Sequence, residues 1–365
     1  MSSGREHKRK KILIICPHPV GYVPGQRLKY EQYFDIFRDA GYDVIVSPFM
    51  SERFQQIVYK KGKVAEKILW TLAGYFKRIT DLFRVPAYDV VYVFLWVAPF
   101  APPILEWCTR KMAKKMIYDI DDLVFLSPPS SANPLIHYLR SPRNHIYLMK
   151  TADHIITCTP YLDAFVRKYN QDTTDISSTI NTDVYKPKAD YAIKGKFTIG
   201  WSGSHSTSKY LHLLDDIFQE LAKEHDFTLL VMGDADFKLP GVNVQALPWK
   251  EEYEVATISR FDVGLYPLPD EEWVLGKSGL KALQYMALGI PTIATGIGAI
   301  FRIIQNEENG FLVLDKNGWK KTIIALKNDQ QLRASVGKRA AETVENYYSI
   351  NSNKVKYLTI LDQLS

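Results

Sequence analysis

A stretch of nine residues, GKSGLKALQ at 276–284, combines glycines, positive charge and an amide at helical spacing. Lys281 and Gln284 follow Lys277 by four and seven residues, so a helix through this stretch would present all three on one face. Backbone amides at the start of such a helix favour an anion, and two lysines beside them would strengthen its binding. The pattern therefore predicts an anion site, with solvated surface lysines as the alternative.

A second helix start of the same kind lies in GWSGSHSTSK, at residues 200–209. Small residues after a strand, here Gly203 and Ser204, let the backbone approach a phosphate, and the helix that follows would add its amides. Lys209 would contribute a point charge to the same phosphate. An ordinary strand-to-helix loop with a serine cap is the alternative, but two such helix starts together favour a diphosphate ligand.

Three carboxylates end a buried strand in YDIDDL, at Asp119, Asp121 and Asp122. Strand alternation points Asp119 and Asp121 to the same side, and Asp122 begins the turn. Carboxylates at such a strand end could orient substrate hydroxyl groups or accept a proton, and a helix cap with a turn is the structural alternative. Asp121 and Asp122 are the stronger candidates for chemistry.

The loop PHPVGYVPGQR, at residues 17–27, follows the first strand and is interpreted as flexible. It ends with Gly25 and Arg27 at the expected start of a helix. There the arginine could meet an anionic group, and a solvated side chain is an equal alternative.

Hydrophobic strands alternate with helical segments along the chain, which predicts parallel sheets with helices on both faces. A first series of strands is KILIIC, YDVIVSPF, YDVVYVF, KMIYDID and ADHIITC, with a helix expected over residues 28–41. After an interruption at Pro187, a second series is KFTIGWSG, FTLLVMG, VNVQALP, FDVGLYP and PTIAT, with GFLVLD as an edge strand. The α/β fold expected is two Rossmann-like domains, residues 1–188 and 189–345, facing across a cleft at the carboxyl ends of the strands.

The composition is that of an ordinary globular chain. At 365 residues, with 46% hydrophobic and 24% charged side chains, two domains are expected. The three cysteines are far apart and lack the spacing of a zinc site, which favours a reducing compartment and no metal. No segment resembles a signal peptide or has the apolar length of a membrane span, so a cytoplasmic protein is expected.

Positive charge is concentrated in residues 1–11 and 57–84, although the net charge of the chain is only +6. Charge confined to two segments argues for a local anionic partner and against a nucleic-acid binder. In the second segment, apolar residues recur at four-residue steps, at Val64, Ile68, Leu72 and Phe76. A basic amphipathic helix predicts peripheral docking on an anionic membrane surface, and a helix packed on its own domain is the alternative.

The pattern FDVGLYP followed by GKSGLKALQYMALGIPTIAT resembles the retaining family-4 glycosyltransferases of GT-B fold, glycosyl transferases group 1. Their familiar form is E-G-F-G-L-x-x-L-E-A-M-A-x-G-x-P-V-I-A-T. Further pieces fall in the family's order: ADHIITCTPYL, INTDVYKP, VMGDAD and GIGAIFRIIQNEENGFLV. The resemblance covers most of the chain and is specific in its C-terminal half.

The resemblance implies a nucleotide diphosphate sugar, UDP- or GDP-linked, as co-substrate, with no other cofactor. The donor-binding residues expected from the loops and the resemblance are Gly203, Ser204, Lys209, Lys277, Ser278, Gly279, Leu280, Gln284 and Trp249. The family's loop corresponding to residues 17–27 closes near the acceptor and the pyrophosphate, which implies such a place for Gly25 and Arg27. A last helix, residues 346–365, is expected to cross back onto the N-terminal domain.

The chain departs from the family's pattern at its acidic pair, E-x7-E, which falls on Gly276 and Gln284. A glutamine can still bond the ribose hydroxyls that the second position contacts, but a glycine offers no side chain to the sugar. Candidates to replace that first carboxylate are Lys277, Glu271 and Glu272. The family's loop arginine is Ser204 here, and Lys209 matches its phosphate-contacting lysine.

The expected function is a hexosyl-type glycosyltransferase that works with retention and without a metal. Its acceptor would be a glycan or a lipid-linked acceptor, in cell-surface polysaccharide synthesis. Candidate catalytic residues are Asp121, Asp122 and Asp119. One alternative is a nucleotide-sugar-binding scaffold that has lost catalysis, and another is a sugar-nucleotide epimerase, which would need donor-pocket carboxylates that Gly276 and Gln284 do not supply.

Overall fold

The computed structural model describes residues 9–60, 62–100, 102–123 and 142–365. Residues 1–8 of the first basic segment and Lys61 of the second lie outside the described residues. The chain divides into two compact units, unit 1 comprising Met1–Ser177 with Lys354–Ser365 and unit 2 comprising Ser178–Asn353. Each unit is built on one six-stranded sheet with parallel pairing.

The sheet of unit 1 has the strand order β2-β1-β3-β4-β5-β6. Its strands are β1 (Lys10–Cys16), β2 (Tyr42–Pro48), β3 (Val90–Phe94), β4 (Met116–Asp119), β5 (His154–Thr157) and β6 (Thr173–Asp175). Strands β1, β3 and β5 are hydrophobic and largely buried, as the sequence predicts. The sequence carries no signal for β6, because TTD has neither an apolar run nor buried side chains.

The helices of unit 1 precede and follow these strands. They are α1 (Pro24–Arg27), α2 (Phe34–Asp39), α3 (Glu52–Val58), α4 (Val64–Arg84), α5 (Ile104–Met112), α6 (Arg143–Thr151) and α7 (Pro160–Val166). The single helix expected over 28–41 is wrong: a 3₁₀ turn (Glu31–Tyr33) separates α1 from α2. In this segment the charged side chains of Lys29 and Glu31 are buried, where Lys29 pairs with Asp119 and Glu31 accepts a hydrogen bond from Gln26.

The sheet of unit 2 has the order β12-β11-β10-β7-β8-β9. Its strands are β7 (Phe197–Ser202), β8 (Phe227–Met232), β9 (Val244–Leu247), β10 (Val263–Tyr266), β11 (Thr292–Thr295) and β12 (Phe311–Val313). Strand β12 lies at one edge of the sheet, as expected for GFLVLD. Apolar side chains pack in two clusters, one containing Leu230 and Met286 and the other containing Leu229 and Trp201.

The helices of unit 2 are α8 (Asp215–Glu224), α9 (Glu251–Ile258), α10 (Leu280–Ala287), α11 (Ile300–Ile303), α12 (Lys316–Asn328) and α13 (Gln330–Thr343). Two 3₁₀ helices, Ser208–Leu214 and Glu272–Gly276, precede α8 and α10. The last helix, α14 (Ile350–Leu364), begins in unit 2, and its part from Lys354 onward belongs to unit 1.

The boundaries between the units differ from the expected 188/189 and 345/346. Ile180 and Tyr185 are buried in the core of unit 2, and Ile180 pairs with Ser349 as a parallel bridge. In unit 1 the ring of Tyr357 lies 4.5 Å from that of Tyr33, so residues from 354 onward complete the core of the first unit.

Candidate functional site

The carboxyl ends of β7 and β8 approach each other so closely that only glycine fits at two positions. A Cβ on Gly203 would lie 2.2 Å from Trp201 and 2.6 Å from the Nζ of Lys281. A Cβ on Gly233, whose φ is +107°, would lie 1.9 Å from the carbonyl oxygen of Gly203. At Gly203 the backbone after β7 therefore carries no side chain and lies beside the ammonium group of Lys281. Glycine at such a position lets an anion approach the backbone closely.

The buried carboxylate of Asp234 binds two residues of the loop after β7. Asp234, at the end of β8, accepts a hydrogen bond of 2.6 Å from Ser208 and lies 3.1 Å from Nδ1 of His205. Although burial opposes it, the hydrogen bonds from Ser208 and His205 lower the pKa of Asp234. Sequence reasoning missed Asp234, although the motif VMGDAD contains this residue.

The helix expected to begin at this loop is in fact a 3₁₀ helix, Ser208–Leu214, that continues into α8. Ser204 is exposed, and its amide donates to Oγ1 of Thr207 within the loop. Lys209 is also exposed, with its Nζ 5.1 Å from the centre of the Tyr210 ring. The lysine that lies beside Gly203 is therefore Lys281, not Lys209.

Lys281 stands at the centre of the candidate site of unit 2. Its Nζ lies 4.6 Å from the centre of the Trp201 ring and donates to Oγ1 of Thr207 at 3.2 Å. Burial and the charge of Lys277 lower the pKa of Lys281 to about 7. In the part of the chain that the structure describes, no carboxylate forms an ion pair with this ammonium group, so an arriving anion would stabilise it.

The expectation that one helical face carries Lys277, Lys281 and Gln284 is wrong. Helix α10 begins at Leu280, and Lys277 precedes it, with its Nζ 5.3 Å from the centre of the Trp273 ring. Gln284 is on the helix but only 4% exposed. The spacing of four and seven residues assumed a helix through Lys277, and Gly279 prevents that by its positive φ of +76°.

The residues between Lys277 and the helix fix its first turn. Gly279 caps α10, and a Cβ there would lie 2.5 Å from Ile303, which explains why glycine is required. Ser278 lies 2.8 Å from Ser178 through their hydroxyl oxygens. Leu280 is the first residue of α10, so the backbone amides of the start of this helix lie next to Ser278 and Gly279.

Gln284 and Trp249 belong to one buried hydrogen-bond chain. Nε2 of Gln284 donates to the hydroxyl of Tyr185 at 2.9 Å, and that hydroxyl donates to Oε2 of Glu254 at 2.8 Å. Nε1 of Trp249 donates to the other carboxylate oxygen, Oε1, at 2.9 Å. Two of the expected donor-binding residues, Gln284 and Trp249, are therefore joined through Tyr185 and Glu254, which sequence reasoning did not single out.

In unit 1, Asp119 is a buried structural carboxylate. It is 0% exposed and pairs with the equally buried Lys29, 2.6 Å away, and it also accepts a hydrogen bond from Tyr92. Burial alone would lower the pKa of Lys29, but the carboxylates of Asp119 and Asp121 outweigh it and raise that pKa. This burial and pairing favour a structural role for Asp119 over the substrate contact that the sequence predicts.

Asp121 and Asp122 are half-buried and lie beyond the end of β4. A Cβ on Gly25 would lie 3.2 Å from Oδ2 of Asp121, so the loop after β1 and this carboxylate do come together. Asp122 has a φ of +94°, a conformation that strains a residue with a side chain. The structure thus leaves Asp121, next to the Gly25 backbone, as the better placed carboxylate.

The loop of residues 17–27 is more ordered than the sequence indicates. Gln26 is buried, accepts from the amide of His18 at 3.0 Å and donates to Oε1 of Glu31 at 2.9 Å. The other oxygen of Glu31 accepts from the amide of Gly21. Arg27 ends α1 and is half-buried.

The family model for "Glycosyl transferases group 1" matches residues 196–329, which lie within unit 2. This segment of unit 2 is therefore similar to the group 1 glycosyltransferases, and the two parallel six-stranded sheets have the architecture of GT-B glycosyltransferases.

Particular relatives add detail. The chain is 28% identical over 216 residues to N-acetyl-alpha-D-glucosaminyl L-malate synthase of Bacillus anthracis, covering 53% of this chain and 54% of that protein. It is 25% identical over 171 residues to the capsular polysaccharide biosynthesis glycosyltransferase CapM of Staphylococcus aureus, covering 43% of each. The chain thus spans about half the length of the curated relatives that it matches.

Among solved structures, Anabaena Alr3699/HepE in complex with UDP and glucose superimposes with a TM-score of 0.67. The match covers 98% of this chain and all of that one at 16% identity, so it establishes the shared fold.

Proposed function

We propose that the protein is a retaining glycosyltransferase that transfers a hexose from a nucleotide diphosphate sugar to a glycan or lipid-linked acceptor. The observation that carries this proposal is the ammonium group of Lys281 beside Gly203 and Thr207, at the end of a central strand of a group 1 domain. A diphosphate would supply a negative charge next to this ammonium group, which forms no ion pair with a carboxylate among the described residues.

Unit 2 binds the donor in this proposal. The diphosphate lies against the backbone of Gly203, the amides at the start of α10 and the side chains of Lys281 and Lys277. Gln284 bonds the ribose, and Trp249 lies near the base. UDP and GDP are the candidate nucleotides, and the UDP named in the solved Alr3699/HepE complex supports the former.

The transfer step follows from this binding. The bond between the anomeric carbon and the diphosphate oxygen breaks, and the acceptor oxygen bonds to the same face of that carbon. The departing phosphate takes the proton of the acceptor hydroxyl, so protons and charge balance without a covalent intermediate. The lysines stabilise the negative charge that develops on the leaving phosphate, with no metal called for in the proposal.

Unit 1 binds the acceptor in the proposal, with Asp121 accepting a hydrogen bond from an acceptor or donor hydroxyl. One curated relative is named as a glucosaminyl malate synthase and the other as a glycosyltransferase of capsular polysaccharide biosynthesis. Cell-surface polysaccharide synthesis is therefore the proposed setting.

The proposal is tested by thermal unfolding with UDP, GDP, ADP and CMP and with UDP- and GDP-linked sugars. We expect one nucleoside diphosphate to raise the melting temperature by several degrees, because binding to the native state stabilises it by mass action. Slow hydrolysis of the matching nucleotide sugar without an acceptor should accompany it. Binding without hydrolysis or transfer would favour the scaffold, conversion to an epimeric nucleotide sugar would favour the epimerase, and no binding would refute the donor site.

We also propose that helix α4 docks the protein on a membrane surface. Seven apolar side chains form an exposed stripe on this helix, and Phe83 is 80% exposed: Val64, Ile68, Leu69, Leu72, Phe76, Ile79 and Phe83. Among the described residues, no helix is long and apolar enough to cross a membrane, so a stripe of this kind would lie in the interface.

The opposite side of α4 is packed and polar. Gly74 lies against the Phe49 ring, and Arg78 is buried, paired with Asp81 at 2.9 Å and bonded to the carbonyl of Val97. Lys77 also turns inward, to Ser47. The exposed cations Lys60, Lys63 and Arg84 lie near the ends of the helix, and two of them pair with carboxylates, Lys63 with Glu66 and Arg84 with Asp81. We therefore propose that insertion of the apolar side chains contributes most of the binding free energy and that charge contributes little.

Replacing Leu72, Phe76 and Phe83 together by serine should weaken binding to phosphatidylcholine–phosphatidylglycerol vesicles by about a thousandfold or more, because each buried apolar side chain contributes about 1.5–3 kcal/mol and about 1.4 kcal/mol corresponds to a tenfold change in affinity. Vesicle sedimentation measures this. Leu314→Ser removes an equally exposed apolar side chain from unit 2 and is the matched control. Unchanged binding of the triple variant would refute docking through α4.

A further inference from the structure

We propose that Tyr185 and Glu254 are positioning residues that orient the side chain of Gln284 toward the donor ribose and require an amide at that position. The proposal rests on the donor site described above and concerns how that site is set. Its basis is the buried chain from Trp249 through Glu254 and Tyr185 to Gln284.

The direction of each hydrogen bond follows from counting protons. The carboxylate of Glu254 only accepts, and it takes one proton from Trp249 and one from Tyr185. A tyrosine hydroxyl has a single proton, so Tyr185 has none left and can only accept from residue 284. Gln284 meets this need with its NH₂ group, at 2.9 Å.

This assignment fixes the other end of the amide. With Nε2 of Gln284 committed to Tyr185, its carbonyl oxygen Oε1 is directed away from Tyr185, as an acceptor for a ribose hydroxyl. The side chains of Gln284, Tyr185 and Glu254 are all at most 4% exposed, so water does not compete for these bonds. The same carboxylate holds Trp249, so one group sets both residues assigned to the nucleoside.

The chain also explains the departure from the family's acidic pattern. A glutamate at position 284 would face the hydroxyl of Tyr185 with no proton to donate, and it would place a second carboxylate in the same buried cluster as Glu254. Two buried carboxylates that share one proton donor repel each other, and one of them must bind a proton to remain. The amide of Gln284 and the carboxylate of Glu254 therefore form a matched pair.

The exchange variant tests this pairing directly. Gln284→Glu alone should lower the melting temperature, and the loss should grow as the pH rises, because a buried carboxyl with a raised pKa is stabilised only while it holds its proton. In the double variant Gln284→Glu/Glu254→Gln the hydrogen bonds can run the other way. The amide introduced at position 254 donates to the hydroxyl of Tyr185, and that hydroxyl donates to the carboxylate introduced at position 284. The double variant should recover most of the loss and show a weaker pH dependence than Gln284→Glu, because only one buried carboxyl remains in the cluster.

The positioning role of Tyr185 is tested by a measurement that does not depend on the stability of the fold, the preference for a ribonucleotide over its dideoxy analogue. We compare the affinities of UDP and GDP with those of their 2′,3′-dideoxy analogues, in the native protein and in Tyr185→Phe. The native protein should prefer the ribonucleotide, and Tyr185→Phe should reduce this preference by about tenfold, the effect of one lost hydrogen bond. Phe197→Leu, a buried aromatic change elsewhere in unit 2, is the control for general destabilisation and should leave the preference unchanged.

The outcomes separate this proposal from the function on which it rests. If no nucleoside diphosphate binds the native protein, the donor site is refuted, while the exchange variant still reports on the hydrogen-bond directions. If nucleotides bind and the exchange variant is no more stable than Gln284→Glu, the matched pair is refuted. An unchanged ribose preference in folded Tyr185→Phe would refute the positioning role.

Discussion

Lys281→Met is expected to weaken nucleoside diphosphate binding by about tenfold to a hundredfold, the effect of one hydrogen bond to a charged group. Transfer should fall by about a further hundredfold, since the charge is needed most on the leaving phosphate. Methionine keeps the length that packs on Trp201 and removes the charge together with the hydrogen bond to Thr207. Isothermal titration calorimetry and initial-rate kinetics measure the two effects.

The pH dependence gives this prediction a signature. In the free protein, burial and Lys277 lower the pKa of Lys281 to about 7, and a bound diphosphate would raise it. Binding should therefore take up a proton near neutral pH, and affinity should fall as the pH rises above 7, by up to about tenfold per unit. Calorimetry in two buffers of different ionisation enthalpy detects the proton, and Lys281→Met should abolish the dependence.

Lys209→Met is the matched control, because Lys209 is exposed and stacked on Tyr210. A small effect there and a large one at Lys281 would assign the phosphate contact to α10. The reverse order would show that the lysine indicated by the family resemblance keeps its role and that the placement of Lys281 beside Gly203 is incidental.

Asp121→Asn should reduce sugar transfer by about a hundredfold to ten-thousandfold, the range for loss of a group that handles a proton or a reacting hydroxyl. Asparagine keeps the shape and one acceptor oxygen beside Gly25, so unit 1 should remain folded. Nucleotide affinity should stay within about twofold of the native value, because the nucleotide is assigned to unit 2. Transfer rates and nucleotide titration together measure both.

Asp122→Gly is the companion variant. Glycine adopts the φ of +94° of Asp122 without strain, so this change should stabilise the fold by about 1 kcal/mol or more. If transfer is lost in Asp122→Gly and retained in Asp121→Asn, the roles of the two carboxylates are the reverse of those proposed.

The sequence predicts the architecture well because both sheets are built from short buried apolar runs. Within the described residues, every strand except β6 coincides with a hydrophobic segment such as KILIIC or FTLLVM. Such a segment can be identified from the local sequence without knowledge of the strand it pairs with. Strand β6 is missed for the opposite reason, since TTD pairs at a sheet edge and contains no apolar run.

The sequence predicts where the candidate site lies, but it does not predict which side chains contact one another there. Loops at strand ends indicated where Gly203 and Asp121 would lie. Whether a charged or polar residue there serves a ligand or the fold depends on residues far away in sequence: Asp119 is neutralised by Lys29, and Gln284 is held by Tyr185. Spacing arguments also presuppose an unbroken helix, and Gly279 breaks the one assumed through Lys277.

The division of the chain has a consequence for how the protein is made. Unit 2 is one continuous segment, whereas unit 1 is completed only by residues 354–365, through the contact of the Tyr357 ring with the Tyr33 ring and the hydrogen bond from Tyr42 to Asp362. The N-terminus of a chain leaves the ribosome first, so the sheet of unit 1 emerges before unit 2. Residues 354–365, which complete unit 1, are synthesised only after all of unit 2. During that interval Tyr33 and Tyr42 lack these partners, and the nascent first unit is the stage at which a chaperone would be needed.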